Sequence, residues 1–366
     1  MASRSVSAPM RILVIRLSAM GDVAMSVPVV GALRKQYPEA QIVVLTPAFL
    51  QPFFRGIEAL EFVSPDFTGR HKGLKGVLKL SSELGRFDMV ADLHDVIRTK
   101  MLRRILRLRG AKVAYIDKGR EEKKALVALE NKKLVQLKTT VERYREVFLA
   151  LGFDLPPIAV PPRVRYSLDA ETEALAGAHE GKKWIGIAPF AQHQGKIYPL
   201  EQMERVIAML SQMPGVQLFV FGGGAAEREY GERMEEKYGS VVSVIGRIKL
   251  AREMELISHL DLMLSMDSSA MHMASLVGVP VVSVWGATHP YAGFYGIGQD
   301  PQNAVQLDMA CRPCSIYGNR PCAYGDYPCM RGIAPERIVG QVCKAAGLPS
   351  VAESESEPES EPVSES

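Results

Sequence analysis

Short runs of Val, Ile and Leu recur along this chain, each followed by a segment of helical period, and that alternation admits few folds. RILVIRL (11–17), VPVVGALRKQY (27–37), QIVVLTP (41–47), a further helical stretch and FDMVADLH (87–94) set the rhythm. A second series follows: WIGIAPF (184–190), an amphipathic segment over 199–213, VQLFVFGGG (216–224), a helix over 227–238, VVSVIG (241–246), a helix over 250–259, LMLSMD (262–267), a helix from Ser269, and VPVVSVWG (279–286). Continuous apolar runs suit strands buried on both faces, and the intervening helices supply parallel crossovers. The expected class is therefore α/β, with two Rossmann-like domains whose sheets are mostly parallel.

Between the two series lies LPPIAVPPRVR (155–165), whose prolines favour an extended linker. The expected organisation is a lead over 1–9, a first domain over 10–165, a second over 166–349 and an acidic Ser/Glu/Pro tail over 350–366. Both ends are expected to be disordered, having little apolar surface to bury. With 366 residues and a net charge of +3, the chain has enough material for large cores and no general surplus of cations for nucleic acid. No apolar stretch reaches the roughly 20 residues of a membrane span, and MASRSVSAPM lacks a secretory core, so a soluble cytoplasmic protein is expected.

Ligands of parallel sheets bind beyond the carboxyl ends of the strands. At the end of the first run stands Ser18-Ala19-Met20-Gly21-Asp22. Gly21 permits a tight turn or the close approach of a ligand, and Asp22 either points a carboxylate into a cleft from the first turn of the next helix or merely caps that helix. A second polar turn, Asp267-Ser268-Ser269, opens the segment Ala270-Met271-His272. Its hydroxyls and free N–H groups suit a phosphate or diphosphate, although Ser268 can equally be a plain N-cap and His272 a core histidine. Lys196 follows a Gly-containing loop and offers a point charge to phosphates. Glu227, after the GGG turn, could meet ribose hydroxyls or simply begin a helix. The first turn lacks GxGxxG, which argues against an NAD-dependent oxidoreductase.

Between Arg98 and Arg145 there are sixteen Lys or Arg against five Asp or Glu. Such a block suits an anionic glycolipid, an anionic membrane surface or nucleic acid, or is only a solvated face. Asp92 to Asp95 (DLHD) closes the preceding strand. Cys311, Cys314, Cys322 and Cys329 supply four thiols, enough for a tetrahedral structural metal, but without a second CxxC. Cys343 reads as an ordinary buried thiol.

Taken together, RLSAMGDV, Lys196-Ile197-Tyr198-Pro199, DSSAMHMASLVGVPVVSVWGATHP and the late cysteine segment resemble glycosyltransferase family 9, the heptosyltransferases of lipopolysaccharide core assembly, from about Met10 to Gly347. The resemblance implies a GT-B fold, with the acceptor on the N-terminal side and the nucleotide sugar on the C-terminal side. It implies inverting transfer of heptose from ADP-heptose to an anionic lipopolysaccharide inner core, with no cofactor and no catalytic metal. Asp22 falls on the general base. Lys196, Glu227, Asp267, Ser268, Ser269, Ala270, Met271 and His272 fall on the donor side. Ser18, Gly21, His94, Arg98, Lys100 and Arg103 are the acceptor-side candidates. The implied partners are a nucleotide sugar and a glycolipid at the cytoplasmic leaflet of the inner membrane; nucleic acid is not expected. The sequence departs from the family pattern at Ser269 (often Gly), Tyr198 (often Trp) and Ala191-Gln192 (often hydroxyl-bearing). The same fold with another nucleotide sugar, and a non-catalytic nucleotide-sugar or nucleic-acid binder, are the alternatives.

Overall fold

The three apolar runs of the first half pair as one parallel sheet with a further short strand at each edge, and the five of the second half pair as another with a sixth strand added at one edge. The computed structural model describes residues 9–179 and 181–349. The expected disordered lead, up to residue 8, and the acidic tail from 350 lie outside the described residues.

The first sheet takes β1 (Arg11–Ile15), β2 (Gln41–Leu45), β3 (Leu60–Val63), β4 (Met89–Asp92) and β5 (Lys112–Tyr115) in the order β3-β2-β1-β4-β5. Its helices are α1 (Met20–Gln36), α2 (Gly73–Leu84), α3 (Ile97–Leu108), α4 (Arg120–Leu126) and α5 (Thr140–Leu151). The second sheet takes β6 (Lys183–Ala188), β7 (Val216–Val220), β8 (Val241–Ser243), β9 (Leu262–Met266), β10 (Val281–Trp285) and β11 (Ala304–Gln306) in the order β11-β10-β9-β6-β7-β8. Around it lie α6 (Ala170–Ala176), α7 (Leu200–Ser211), α8 (Ala225–Lys237), α9 (Leu250–Ile257), α10 (Ser269–Leu276), α11 (Pro328–Arg331) and α12 (Pro335–Ala346). Every pairing is parallel. Strand order reverses between β1 and β4 in one sheet and between β6 and β9 in the other. The loops after β1, β6 and β9 therefore open into crevices where ligands are bound.

Side chains alternate across each sheet. On one face of the first sheet Leu13, Ile15, Val43, Leu45 and Val90 pack under α2 and α3. On the other, Ile12, Val14, Ile42, Val44 and Ala91 pack under α1 and α5. The second sheet sends Ile185, Ile187, Leu218, Leu264 and Val282 toward α7 and α12. Its opposite face carries Trp184, Phe219, Met263 and Trp285 toward α9 and α10. Because α1 packs on α10, the two inward faces merge into one continuous apolar cluster.

That contact explains a difference from the sequence reading. The amphipathic run VPVVGALRKQY is only the later part of α1, which begins at Met20, with Asp22 in its first turn as the sequence suggests, and passes through Pro28. It is buried on most sides, between its own sheet, α5 and α10, so burial outweighs the hydrogen bond that Pro28 cannot make. The segment from 155 to 165 forms no helix or strand and binds to the second domain at its far end, where Val164 donates to the Val277 carbonyl at 3.1 Å.

At the end of β4 the buried Asp92 accepts from the His94 and Asp95 N–H groups at 3.0 and 2.9 Å and from Arg103 at 2.8 Å. Asp92→Ala should lower the unfolding free energy by about 3–5 kcal/mol, since it strips the largely covered Arg103 guanidinium of one of its two carboxylates and a turn of its acceptor. Urea denaturation reads this directly; a loss below about 1 kcal/mol would contradict it.

Candidate functional site

The two sheets face each other by their carboxyl-terminal edges across a cleft of about 590 Å³, within the usual size of small-molecule sites. One wall is the turn after β1. The other is built by the loops after β6, β7 and β9 and by one face of α9.

The walls nearly touch at one point. A Cβ on Gly21 would stand 2.7 Å from His272 Cδ2 and 3.6 Å from Ser269 Cα, so only glycine lets these helix starts approach so closely. The sequence reading gave Gly21 to a turn or to the close approach of a ligand; what approaches it in the structure is His272 of the second domain. His272 is buried and lines the cleft, and burial lowers its pKa to about 4, leaving a neutral imidazole at pH 7.

Asp22 occupies the third position of α1. Its Oδ2 takes the Arg16 guanidinium at 2.6 Å and, more loosely, the Ala19 N–H at 3.3 Å. The cap is only half made, because Ala19 has no side-chain acceptor to return it. Arg16 is buried and donates also to the Leu93 carbonyl at 2.6 Å, which fixes the carboxylate while Asp22 keeps 28% of its side chain exposed toward the cleft.

Across the cleft, Ser268 stands at the N-cap of α10, yet its side chain makes no capping bond and turns to Ser265 at 3.1 Å. The first N–H groups of α10 therefore lack a side-chain cap, which is the condition for anion binding at a helix start. Lys196 Nζ lies 2.9 Å from Asp267 Oδ2, close enough for an ion pair but without hydrogen-bond alignment. Glu227 lines the same cleft and accepts from the Gly223 N–H at 2.6 Å, shaping the GGG turn. Ala270 also lines it. Met271 does not. Expected at the donor site, it is wholly buried in the core beneath α10, because a helix one residue past the cleft-facing position points inward.

The acceptor-side candidates separate into two groups. Ser18 Oγ lies 3.4 Å from His94 Nε2 beside the Asp22 turn, and burial lowers the His94 pKa to about 4. Arg98, Lys100 and Arg103 do not form one anion pocket. Arg103 is held by Asp92 and Asp95, each at 2.8 Å; Lys100 lies 3.6 Å from Asp95; Arg98 stacks on Phe67 away from the cleft. From the same basic block, Lys118 and Arg120 instead line a second hollow of about 440 Å³ at the end of β5. Among the described residues no group of three or more His, Cys, Asp or Glu is arranged around a metal position, and Cys311, Cys314, Cys322 and Cys329 are all free thiols. Their loop is a brace: buried Arg312 donates to the Gly286 and Thr288 carbonyls, and Tyr317 reaches the cleft. Cys343 is buried in α12, against Met213.

Several cleft residues carried no sequence signal. Glu253 projects from α9 with no ion pair or hydrogen bond to its side chain among the described residues, and burial raises its pKa to about 7. Phe190, Phe294 and Tyr317 come from three separate loops. Arg16 was visible, since it opens the RLSAMGD string, but only the fold shows that it holds Asp22.

Residues 77–323, more than half of the chain, match the family model described as glycosyltransferase family 9 (heptosyltransferase). The chain is 21% identical over 337 residues to lipooligosaccharide heptosyltransferase 2 of Campylobacter jejuni, covering 89% of this chain and 96% of the relative. It is 26% identical to lipopolysaccharide heptosyltransferase 3 of Escherichia coli, covering 73% and 80%. In fold it resembles a family 9 glycosyl transferase from Veillonella parvula (TM-score 0.70, 19% identity, 92% and 97% covered) and E. coli ADP-heptose lps heptosyltransferase II (0.65, 19%, 92% and 98%). The chain belongs to glycosyltransferase family 9 (heptosyltransferase): it is a glycosyltransferase of GT-B fold.

Two outcomes follow from the cleft. Gly21→Ala should force His272 aside, lowering stability by about 1–3 kcal/mol and slowing glycosyl transfer; wild-type melting together with wild-type turnover would contradict the close contact. For Glu253, the folded pKa lies above the ordinary carboxylate value of 4.5. Its contribution to stability is thus present at low pH and lost as pH rises through about 7. The melting-temperature advantage of Glu253→Gln should accordingly be larger at pH 8 than at pH 5. An advantage that does not change with pH would show that Glu253 is not desolvated.

Proposed function

We propose that this protein transfers heptose, with inversion, from ADP-heptose to an anionic lipopolysaccharide inner-core acceptor, without a catalytic metal. The carrying observation is the contact of Gly21 with His272, which sets Asp22 opposite Lys196 and the start of α10 in one cleft.

The chemistry follows from that placement. Inversion requires the acceptor hydroxyl to attack the anomeric carbon from the face opposite the leaving diphosphate. With Oδ2 engaged by Arg16, the Oδ1 atom of Asp22 is the oxygen available to take the hydroxyl proton. Negative charge then grows on the departing ADP. The Lys196 ammonium and the uncapped N–H groups of α10 are fixed before reaction and can stabilise that charge without a divalent ion. Glu227, in the first turn of α8, would meet the ribose hydroxyls. Heptose and lipopolysaccharide are supported by the names of the relatives, and the donor by an E. coli heptosyltransferase of the same fold described with ADP-2-deoxy-2-fluoro heptose.

On the acceptor side Ser18 and His94 flank Asp22, and the second hollow is mixed in charge, Lys118 and Arg120 standing there with Asp95, Asp117, Glu121 and Glu122. No helix among the described residues is long and apolar enough to cross a membrane, and we place the protein peripherally at the cytoplasmic leaflet, where such an acceptor would be met.

Asp22→Asn should reduce turnover by roughly 10²- to 10⁴-fold with nearly unchanged ADP affinity, measured by transfer assay and calorimetry. Near-normal turnover would remove Asp22 as the base. In the same assay, transfer from ADP-heptose should persist in excess EDTA and exceed that from UDP- or GDP-sugars; abolition by EDTA would defeat the metal-independent reading.

A further inference from the structure

The function above leaves unexplained the outer face of the first domain. Helices α2 and α3 lie side by side there, over the face of the sheet that points away from α1. On α2 the stripe Val77, Leu80, Leu84 is buried, while Leu74 and Leu78, one turn apart on the other side, are 61% and 47% exposed. On α3, Leu102 and Leu106 are buried, while Ile97 and Leu108 are 77% and 89% exposed. Large aliphatic side chains rarely face water in such a group without a partner.

The same two helices carry exposed cations. Lys72, Lys75, Lys79, Arg98, Arg104 and Arg107 are exposed on these two helices and at the α2 cap, and none has a carboxylate within ion-pair distance among the described residues. The one carboxylate on either helix, Glu83, is occupied by His71 at 3.0 Å and Arg70 at 3.7 Å. Both helices run against the strand direction, so their first turns lie at the carboxyl edge of the sheet, the edge on which the cleft opens.

We propose that the α2–α3 face docks on an anionic phospholipid bilayer, with Leu74, Leu78 and Ile97 entering the interface and the exposed Lys and Arg meeting lipid phosphates. Exposed leucines between lysines are what such an interface takes up, in apolar area and in charge alike. A second copy of the chain fits poorly, because a two-fold contact would set cation against cation. Nucleic acid would satisfy the cations and leave the aliphatic residues in water. The inference rests on the reading of the acceptor as a membrane-anchored glycolipid, and it gives that reading a geometry: a protein seated on this face has the mouth of its cleft beside the leaflet that holds the acceptor.

Co-sedimentation with vesicles of phosphatidylglycerol and phosphatidylethanolamine, against phosphatidylcholine alone, tests it. The full chain should pellet with the anionic vesicles at low salt and be released as salt rises. Leu74→Ser/Leu78→Ser/Ile97→Ser and, separately, Lys75→Glu/Lys79→Glu/Arg104→Glu should each lower partitioning at least roughly tenfold while melting as wild type does. Transfer to a short, water-soluble acceptor should be unchanged in both. A wild-type protein that stays in the supernatant, or variants that pellet equally well, would overturn the proposal, as would retention of duplex RNA in place of vesicles. Vesicle binding lost in both variants supports the docking face even if no heptose is transferred, a result that would count against the proposed function alone.

Discussion

The approach of Gly21 to His272 is the constraint on which the rest of the molecule depends. Two helices, α1 and α10, begin at the carboxyl edges of different sheets, and their starts can meet only where one has no side chain. From that meeting come the continuous apolar cluster joining the domains, the narrowness of the cleft, and the placing of a carboxylate opposite a row of uncapped N–H groups. A methyl group at position 21 would touch the chemistry and the interface at once.

The site also shows how the same residues serve structure and reaction. Arg16 is buried against the Leu93 carbonyl and anchors the end of the first strand, and it also orients Asp22. Arg312 ties the cysteine-bearing loop to the end of β10, and that loop delivers Tyr317 and presses on the Lys196 turn, where a Cβ on Gly318 would meet Lys196 Cγ at 2.6 Å. Such bracing holds the charges of the cleft in position before any substrate arrives, which is where much of an enzyme's electrostatic advantage originates.

Much of the architecture was legible in the sequence because it depends on local pattern. Unbroken apolar runs bounded by polar turns mark the inner strands but not the short edge strands β3, β5 and β11, and the GD pair and the DSS turn stand out because polar residues at strand ends face a crevice. The start of α1 is legible at the Asp22 turn, but the extent of its burial is not, since a helix buried on nearly all sides shows no polar face. Met271 was grouped with its neighbours by adjacency, although helical geometry turns it into the core. The basic block was visible as charge, but its members divide by partner. Arg103 is neutralised by Asp92 and Asp95, whereas Lys118 and Arg120 reach an open hollow.

By itself the sequence determined the two parallel sheets, the family and the kinds of group at each strand end, because hydrophobic period and turn chemistry act over a few residues. Tertiary structure alone decided which of those groups share a cleft, which cations remain free, and that an unremarkable Glu253 lies desolvated in the wall. Each of these depends on distances between segments a hundred or more residues apart, set by how two sheets pack through α1 and α10, and no local pattern encodes such a distance.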